Sequence, residues 1–244
     1  MPSFEVHPQW RQVLGQVLAD AQQRKAEAVV AFDLDSTLLD NRPRQAALVH
    51  RYVRERGVAP ALAHFDARHL HTGFDMRAAL QRQGLTPASA DEFLTGFRPF
   101  WRAHFFTSEA CRADVPVTGA PDYVRRAAAT GAQVAYVTAR PEAMRPGTLD
   151  VLGRYGFPLP GPGVELFMKL DSEASDEQFK RHTHRRLAER GTVVAAFDNE
   201  PGHANDYRAA FPRARVLLLT TGHSGRVDVL ADGIIPIPHF QLEA

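Results

Sequence analysis

Cysteine is nearly absent from this sequence, since Cys111 is the only one among 244 residues. A single cysteine excludes an intramolecular disulfide and a thiolate metal site built within one chain, and it fits a reducing compartment. No segment approaches the roughly 20 apolar residues of a membrane-spanning helix. Residues 1–28 also lack the basic start and apolar core of a signal peptide. We therefore expect a cytoplasmic protein that has no membrane span.

Net charge is also nearly absent. The chain has 29 Lys and Arg residues against 28 Asp and Glu residues, which gives a formal net charge of +1. This balance provides no overall field that would attract nucleic acid or an anionic membrane, so any recognition of phosphate must be local. Hydrophobic residues make up 44% of the chain. That share is enough for one large α/β domain, or for a core with a small second domain.

Short apolar runs alternate with helical stretches, and each run ends in polar residues. A central strand of a parallel sheet, buried on both faces, shows this continuous apolar pattern. The alternation predicts a doubly wound parallel sheet whose strand ends meet at one edge, where such folds bind ligands. The predicted strands are residues 28–32, 133–137, 192–197 and 215–219, which lead to Asp33, Thr138, Asp198 and Thr220.

The pattern changes between residue 41 and about residue 114. Apolar residues fall there at helical spacing, and no comparable strand run is present. The sequence therefore predicts an α/β core formed by residues 1–40 and 115–244. Residues 41–114, which we call the helical insertion, are predicted to form a separate helical domain.

Two aspartates, Asp33 and Asp35, lie two residues apart directly after the first predicted strand. A buried carboxylate is strongly unfavourable unless a positive charge pairs with it. Magnesium prefers oxygen ligands, keeps several waters and shares its sites with phosphates, so Mg²⁺ is the predicted cofactor. The alternative is that Asp33 is a loop residue or a helix N-cap that follows a strand.

Residues 33–37, Asp-Leu-Asp-Ser-Thr, resemble the first motif of the haloacid dehalogenase-like superfamily, whose phosphatases carry two aspartates followed by Thr or Val. The resemblance implies a Rossmann-like core and a helical cap in the place of the insertion. It also implies a phosphoric monoester hydrolase. Members that displace halide resemble this chain at Asp33 but need neither the second aspartate nor magnesium, so Asp35 favours the phosphatase type.

The resemblance continues at the ends of two later strands. Thr138 matches the second motif, which implies that its hydroxyl and the backbone N–H near Ala139 bind phosphate; the alternative is an ordinary turn threonine. The third motif is a lysine, for which Lys180 and Lys169 are candidates. Lys180 is favoured because its placement before Asp198 resembles polynucleotide kinase-type phosphatase domains. Lys169 lines the entrance in this interpretation, and either one could instead be a solvated surface lysine.

Asp198 resembles the remaining metal ligand of the family, beside Asp33 and Asp35. The next position is often a second aspartate, and here Asn199 orients a metal-bound water without adding charge. Arg140 either clamps phosphate or a distal substrate group, or pairs with a surface carboxylate. One divalent cation and one lysine would offset the three aspartates.

The resemblance and the arrangement together imply a mechanism. Asp33 attacks phosphorus and forms an aspartyl-phosphate, while Mg²⁺ and Lys180 offset charge on the phosphoryl oxygens. Asp35 protonates the leaving oxygen and later takes a proton from the hydrolytic water. By resemblance, Asp35 contacts the metal through its backbone carbonyl.

The helical insertion has two conspicuous groups of side chains. Its arginines contact a second phosphate or a nucleic-acid backbone, or, as we favour, lie on a solvated helix face with salt bridges. Its aromatic residues stack on a base, or, as helical spacing favours, pack between insertion and core. The arginines are Arg42, Arg44, Arg51, Arg54 and Arg56, and the aromatic residues are Phe97, Phe100, Trp101, Phe105 and Phe106.

Three functions are compatible with these patterns. The leading one is hydrolysis of a small-molecule phosphate ester, such as a nucleotide or a sugar phosphate. The second is a nucleic-acid end phosphatase, and the third is a phosphate-binding module without turnover. A pure binder needs neither a nucleophile nor a proton shuttle, which weighs against the third. The loop 220–224 either touches substrate or is a simple turn, and the histidines show no zinc motif.

Overall fold

The computed structural model describes residues 4–170, 175–227 and 229–243. Its strands are β1 (Ala28–Phe32), β2 (Leu39–Asp40), β3 (Val115–Pro116), β4 (Gln133–Pro141), β5 (Val164–Lys169), β6 (Thr192–Asp198), β7 (Arg215–Leu219) and β8 (Ile234–Ile237). Six of them form a parallel sheet in the order β5-β4-β1-β6-β7-β8. The other two, β2 and β3, pair antiparallel.

The α-helices are α1 (Trp10–Arg24), α2 (Arg42–Arg56), α3 (Met76–Arg82), α4 (Pro87–Phe105), α5 (Ser108–Cys111), α6 (Ala120–Ala129), α7 (Arg145–Arg154), α8 (Asp176–Arg190) and α9 (Pro201–Ala210). Short 3₁₀ helices cover Lys25–Glu27, Pro60–Leu62, Ala67–His69 and Glu142–Met144. Within the described ranges, no helix has both the length and the apolar character needed to cross a bilayer.

Helices cover both faces of the main sheet, and β1 shows how. All five residues of β1 are fully buried. Val30 and Phe32 belong to the apolar cluster that α1, α6 and α7 complete, whereas Val29 and Ala31 belong to the cluster that α8 and α9 complete. Successive side chains of a strand point to opposite faces, so a strand covered on both sides must be apolar throughout. The predicted doubly wound α/β fold is confirmed.

Every regular element between β2 and β3 is helical. These helices share an apolar cluster of their own, in which the rings of Tyr52 and Phe97 lie 5.4 Å apart. Phe97, Phe100 and Phe105 are buried in it, so packing is confirmed for these three, but within the insertion and not between insertion and core. Packing is wrong for Phe106, which is 46% exposed.

Two strands of the sheet have no counterpart in the sequence-based prediction. Both β5 and β8 are edge strands of the order given above. An edge strand needs no continuous apolar run, and β5 carries Glu165 and Lys169 within its six residues. In β8, Pro236 removes a backbone donor, which is tolerated at an edge and disguises the strand in the sequence. The pattern therefore predicted the central strands and not the outermost ones.

Candidate active site

Asp33 lies directly after β1, at the carboxyl edge of the sheet. Its backbone N–H donates to the carbonyl oxygen of Phe197 on the neighbouring β6, at 2.9 Å. Two hydrogen bonds to the carbonyl oxygen of Leu34, from Leu38 and Leu39 at 3.0 and 2.8 Å, close the following turn. Asp33 is only 6% exposed. The sheet and the turn thus hold the carboxylate in one place beside the strand ends.

Helix α8 brings Lys180 to this carboxylate. Its Nζ donates to Asp33 Oδ1 at 2.8 Å and to Asp198 Oδ2 at 2.6 Å, and all three side chains are buried. Lys169, the other candidate, lies at the end of β5, and its Nζ donates to Asp176 Oδ1 at 2.8 Å. The geometry therefore brings Lys180, and not Lys169, into contact with the two aspartates.

The three buried groups perturb one another's protonation. Burial raises the pKa of Asp33 to about 7, with Asp198 acting in the same direction and Lys180 opposing it. Burial would also raise the pKa of Asp198, but Lys180 and His203 outweigh it and hold that pKa well below its ordinary range. The pKa of Lys180 is raised, because both carboxylates outweigh the burial that would lower it. Lys180 therefore stays an ammonium ion at all relevant pH values.

When both carboxylates are ionised, two of them against one ammonium leave this group with one excess negative charge. Within the described residues, no group of three or more His, Cys, Asp or Glu side chains is arranged to hold a metal. The carboxylates of Asp33 and Asp198 meet at Lys180, and the motif resemblance adds the backbone carbonyl of Asp35 as a third donor. That set fits magnesium, which is commonly bound by one or two carboxylates and completes its shell with waters and phosphate oxygens.

The second predicted motif ends β4 beside the same cavity. Thr138 is 1% exposed, and its Oγ1 accepts a hydrogen bond from the backbone N–H of Arg140 at 3.3 Å. Thr138 and Ala139 line the cavity together with Asp33 and Lys180. The hydroxyl and the adjacent backbone therefore line the same space as the Asp33 carboxylate.

The carboxylate of Asp35, the predicted proton donor and acceptor, pairs with two arginines. Its Oδ1 accepts from Arg44 Nη2 at 2.7 Å, and its Oδ2 accepts from Arg140 Nε at 2.7 Å. Burial would raise the pKa of Asp35, but Arg140 and Arg44 outweigh it and hold the pKa well below the ordinary range. Arg140 thus pairs with the partly buried Asp35 and with the buried Asp114, and the alternative of a surface carboxylate is wrong. Arg44 and Arg140 neutralise Asp35. The prediction that one divalent cation and one lysine offset all three aspartates is therefore wrong.

A fourth charged group, Asp114, completes this arrangement. Its Oδ1 accepts from Arg44 Nε at 2.8 Å, and its Oδ2 accepts from Arg44 Nη2 at 2.5 Å and from Arg140 Nη2 at 2.6 Å. Asp114, Arg44 and Arg140 are each at most 2% exposed. We call the four residues, which are Asp35, Arg44, Asp114 and Arg140, the ion cluster. It is electrically neutral and joins both ends of the helical insertion to the core.

No local pattern in the sequence indicates the roles of Arg44 and Asp114. Arg44 stands among other arginines of α2, and the interpretation as a solvated face with salt bridges is confirmed for Arg42, which pairs with Asp40 at 2.7 Å. It is wrong for Arg44, which is buried. Asp114 lies 70 positions further along the chain. Only the folded structure reveals that this pair meets.

Arg44→Met is expected to lower the free energy of unfolding by about 3–5 kcal/mol, because it leaves the buried Asp114 and the partly buried Asp35 against one guanidinium. Urea unfolding at neutral pH measures the change. Arg42→Met is the matched control on the same helix, since its partly exposed pair with Asp40 is expected to contribute no more than about 1 kcal/mol. Equal losses in the two variants would show that the ion cluster does not stabilise the fold.

The end of β6 is tied to the C-terminal loop. Asn199 Oδ1 accepts from Thr37 Oγ1 at 3.3 Å, and its Nδ2 donates to the carbonyl oxygen of Gly222 at 2.6 Å. In the loop 220–224, Thr221 donates to the carbonyl oxygen of Ser36, and Ser224 donates to Glu200 through both its backbone N–H and its hydroxyl. Asn199 therefore links three segments around the aspartates.

A cavity of about 730 Å³ opens over these groups. Residues from the core and from the helical insertion line it together. Lys169, Asn199 and Arg140 are part of the lining, as are Phe74, Trp101 and Phe106 from the insertion. All the predicted catalytic, phosphate-binding and metal-binding residues except Asp198 therefore line the cavity. Asp198 does not line it, but accepts a hydrogen bond from Lys180, which does.

No protein-family model matches the sequence, and no curated protein is similar to it in sequence. Solved structures do share its fold. Protein tyrosine kinase A from Mycobacterium tuberculosis has a TM-score of 0.50 at 16% identity, over 88% of this chain and 95% of that one. A haloacid dehalogenase hydrolase of family IA from Entamoeba histolytica has a TM-score of 0.48 at 12% identity, over 87% and 93%. A haloacid dehalogenase-like hydrolase from Streptococcus pneumoniae has a TM-score of 0.46 at 11% identity, over 80% and 85%.

At these identities the likeness concerns the fold alone. The sheet order places β1 between β4 and β6, so the three strands that carry the predicted motifs are neighbours. Their polar residues Asp33, Thr138 and Asp198 meet at one edge, as the motif resemblance predicts. The α/β fold of the chain is similar to that of the Mycobacterium tuberculosis protein.

Proposed function

We propose that this protein is a magnesium-dependent phosphatase that hydrolyses a small-molecule phosphomonoester through an aspartyl-phosphate on Asp33. The observation that carries the proposal is the buried contact of Lys180 with both Asp33 and Asp198 at the bottom of a large cavity. The proposed nucleophile Asp33, the ammonium group of Lys180 and the proposed metal ligand Asp198 lie together there. Perturbed carboxylates grouped in a cavity favour a catalytic site over a structural ion pair.

In the first step, a carboxylate oxygen of Asp33 attacks phosphorus in line, and the bond from phosphorus to the leaving oxygen breaks. Lys180 stays charged and offsets the negative charge on the phosphoryl oxygens. The Thr138 hydroxyl and the backbone N–H at Ala139 donate to the same oxygens. Magnesium, held by Asp33, Asp198 and the Asp35 carbonyl, supplies the remaining positive charge when bound.

In the second step, water attacks the aspartyl-phosphate and regenerates the Asp33 carboxylate. Asp35 takes the proton of that water, and it gives a proton to the leaving oxygen in the first step. Its two arginine partners keep it ionised in the free protein. Both roles require Asp35 to carry a proton beside two guanidinium groups, which oppose its protonation in the free protein.

Three of the five arginines singled out in the insertion do not support a nucleic-acid substrate. Arg42 pairs with Asp40, Arg51 pairs with Glu55 at 2.8 Å, and Arg44 belongs to the buried ion cluster. A phosphate backbone would need a continuous set of available cations. We therefore retain the small-molecule substrate and propose that the helical insertion, residues 41–114, acts as a cap on a core of residues 1–40 and 115–244. A cytoplasmic location stays a prediction.

Hydrolysis of p-nitrophenyl phosphate by the purified protein tests the proposal. We expect turnover with millimolar Mg²⁺ and none with a chelator, because the excess negative charge of Asp33 and Asp198 would otherwise repel the substrate. Restoring Mg²⁺ after chelation should restore the rate, which separates metal loss from unfolding. Equal rates with and without chelator would contradict the magnesium requirement, and no turnover of any phosphomonoester would contradict the proposed function.

A further inference from the structure

The cavity has one wall made of aromatic rings. Phe74, Trp101 and Phe106 line it, and all three come from the helical insertion. We call these three residues the aromatic wall. The lining of the same cavity includes Asp33 and Lys180, so a ligand bound to the wall would lie in the space that holds the proposed nucleophile.

Two rings of the wall are unusually exposed. Phe74 is 44% exposed and Phe106 is 46% exposed, whereas Phe93, Phe97 and Phe100 of the same insertion are at most 8% exposed. Leaving a phenyl ring half in water forgoes much of the free energy that its burial would contribute. Grouped exposed apolar side chains in a cavity are typical of a ligand-binding surface.

Trp101, the third ring of the wall, is held in place by contacts within the chain. Trp101 Nε1 donates to Gln45 Oε1 at 2.7 Å, and Gln45 Nε2 donates to the carbonyl oxygen of Gly73 at 3.1 Å. The indole stacks on Phe105, with ring centroids 4.5 Å apart and an interplanar angle of 26°. Phe106 meets the indole edge-on at 5.4 Å. The wall is therefore preorganised, because binding need not order the indole.

The chemistry of the wall selects among phosphomonoesters. The phenyl rings of Phe74 and Phe106 have no donor, and the single donor of Trp101 is already used. Sugar hydroxyl groups placed against this wall would lose water without gaining partners. A flat aromatic ring would gain stacking and edge contacts instead. The cavity volume of about 730 Å³ is also ample for a nucleotide-sized ligand.

We propose that the aromatic wall binds the leaving group, and that the preferred substrates are phosphomonoesters whose alcohol carries a flat aromatic ring, with nucleoside monophosphates as the probe. This inference rests on the proposed function and narrows it. Phe74, Trp101 and Phe106 are then specificity-determining residues for the reaction of Asp33.

Steady-state kinetics with Mg²⁺ tests the inference. Phe106→Ser is expected to lower kcat/KM for a nucleoside monophosphate roughly tenfold, within the range that loss of one stacked ring produces. Hydrolysis of a hexose phosphate should change less than about twofold, since it makes no ring contact. Phe106→Tyr, which keeps the ring, should retain the wild-type preference. Leu159→Ser is a matched surface control, because Leu159 is 50% exposed outside the cavity lining.

A binding measurement without turnover complements the kinetics. Trp10 and Trp101 are the two tryptophans, so Trp10→Phe leaves Trp101 as the only indole reporter. In Mg²⁺, with Asp33→Asn added to prevent turnover, a nucleoside monophosphate should change its fluorescence, whereas a hexose phosphate should not. Equal responses to both ligands, or no response to the nucleotide, would overturn the inference. Similar turnover of both substrate classes, reduced alike by Phe106→Ser, would also overturn it while leaving the phosphatase proposal intact.

Discussion

Asp33→Asn is expected to abolish phosphatase turnover, with kcat lowered by roughly four orders of magnitude or more. An amide cannot form the aspartyl-phosphate, although its oxygen can still accept the hydrogen bond that Lys180 donates to Asp33 Oδ1. The shape of the site is therefore preserved while the nucleophile is lost. Initial rates on p-nitrophenyl phosphate with saturating Mg²⁺ measure the effect.

Asp122→Asn is the matched control, since Asp122 is an exposed carboxylate on α6 that pairs with Arg126. Its rate should equal that of the wild type.

A folding control uses the pKa of Asp33, which burial raises from 3.8 to about 7. Between these values the folded protein holds a proton that the unfolded chain has lost, so metal-free stability falls as pH rises. Asp33→Asn should flatten this slope, and substantial remaining turnover in a pure sample would contradict the nucleophile assignment.

Lys180→Met is expected to reduce both activity and stability. The substitution leaves Asp33 and Asp198 buried without their shared ammonium, and breaking a buried pair of this kind costs about 3–5 kcal/mol. Turnover should fall by roughly a hundredfold or more, because one fixed charge on the phosphoryl group is lost. Thermal unfolding in chelator and initial rates in Mg²⁺ measure the two effects. Added Mg²⁺ should stabilise the variant more than the wild type.

Lys169→Met separates the two candidate lysines. Lys169 pairs with the partly exposed Asp176, so its replacement should change stability by less than about 1 kcal/mol. Activity should decrease modestly, since Lys169 lines the cavity without contacting Asp33 or Asp198. A loss of turnover in Lys169→Met that equals or exceeds the loss in Lys180→Met would reassign the catalytic lysine.

Much of the core of this fold follows from local pattern. A strand that is buried on both faces must be apolar throughout, so the apolar run of residues 28–32 predicts a central strand. The structure buries all five of these residues. The position of Asp33 then follows from the end of that strand. Lys180 is harder to predict, because Lys169 also precedes Asp198 and the sequence favours Lys180 only through a resemblance. The packing of α8 against the sheet distinguishes them in the structure.

Long-range pairs could not be predicted in the same way. Arg44 and Asp114 meet across 70 residues of sequence, and neither has a local pattern that differs from a solvated residue. The pairing of Asp35 with two arginines has the same origin. Phe105 and Phe106 are adjacent in the chain and both line the cavity, yet Phe105 is buried and Phe106 is 46% exposed. Helical spacing alone does not fix this difference at the end of α4.

The ion cluster has a consequence for how substrate preference can change in this protein. Arg44 lies near the start of the helical insertion and Asp114 lies at its end. Arg44 donates to Asp35, and Asp114 accepts hydrogen bonds from Arg44 and Arg140, the two arginines that pair with Asp35. A helical segment transplanted from another protein would provide neither partner and would leave Arg140 alone with Asp35. The insertion is therefore not an interchangeable module. New specificities arise more readily through single substitutions at Phe74, Trp101 or Phe106, which reshape the cavity while Asp35 keeps its supports.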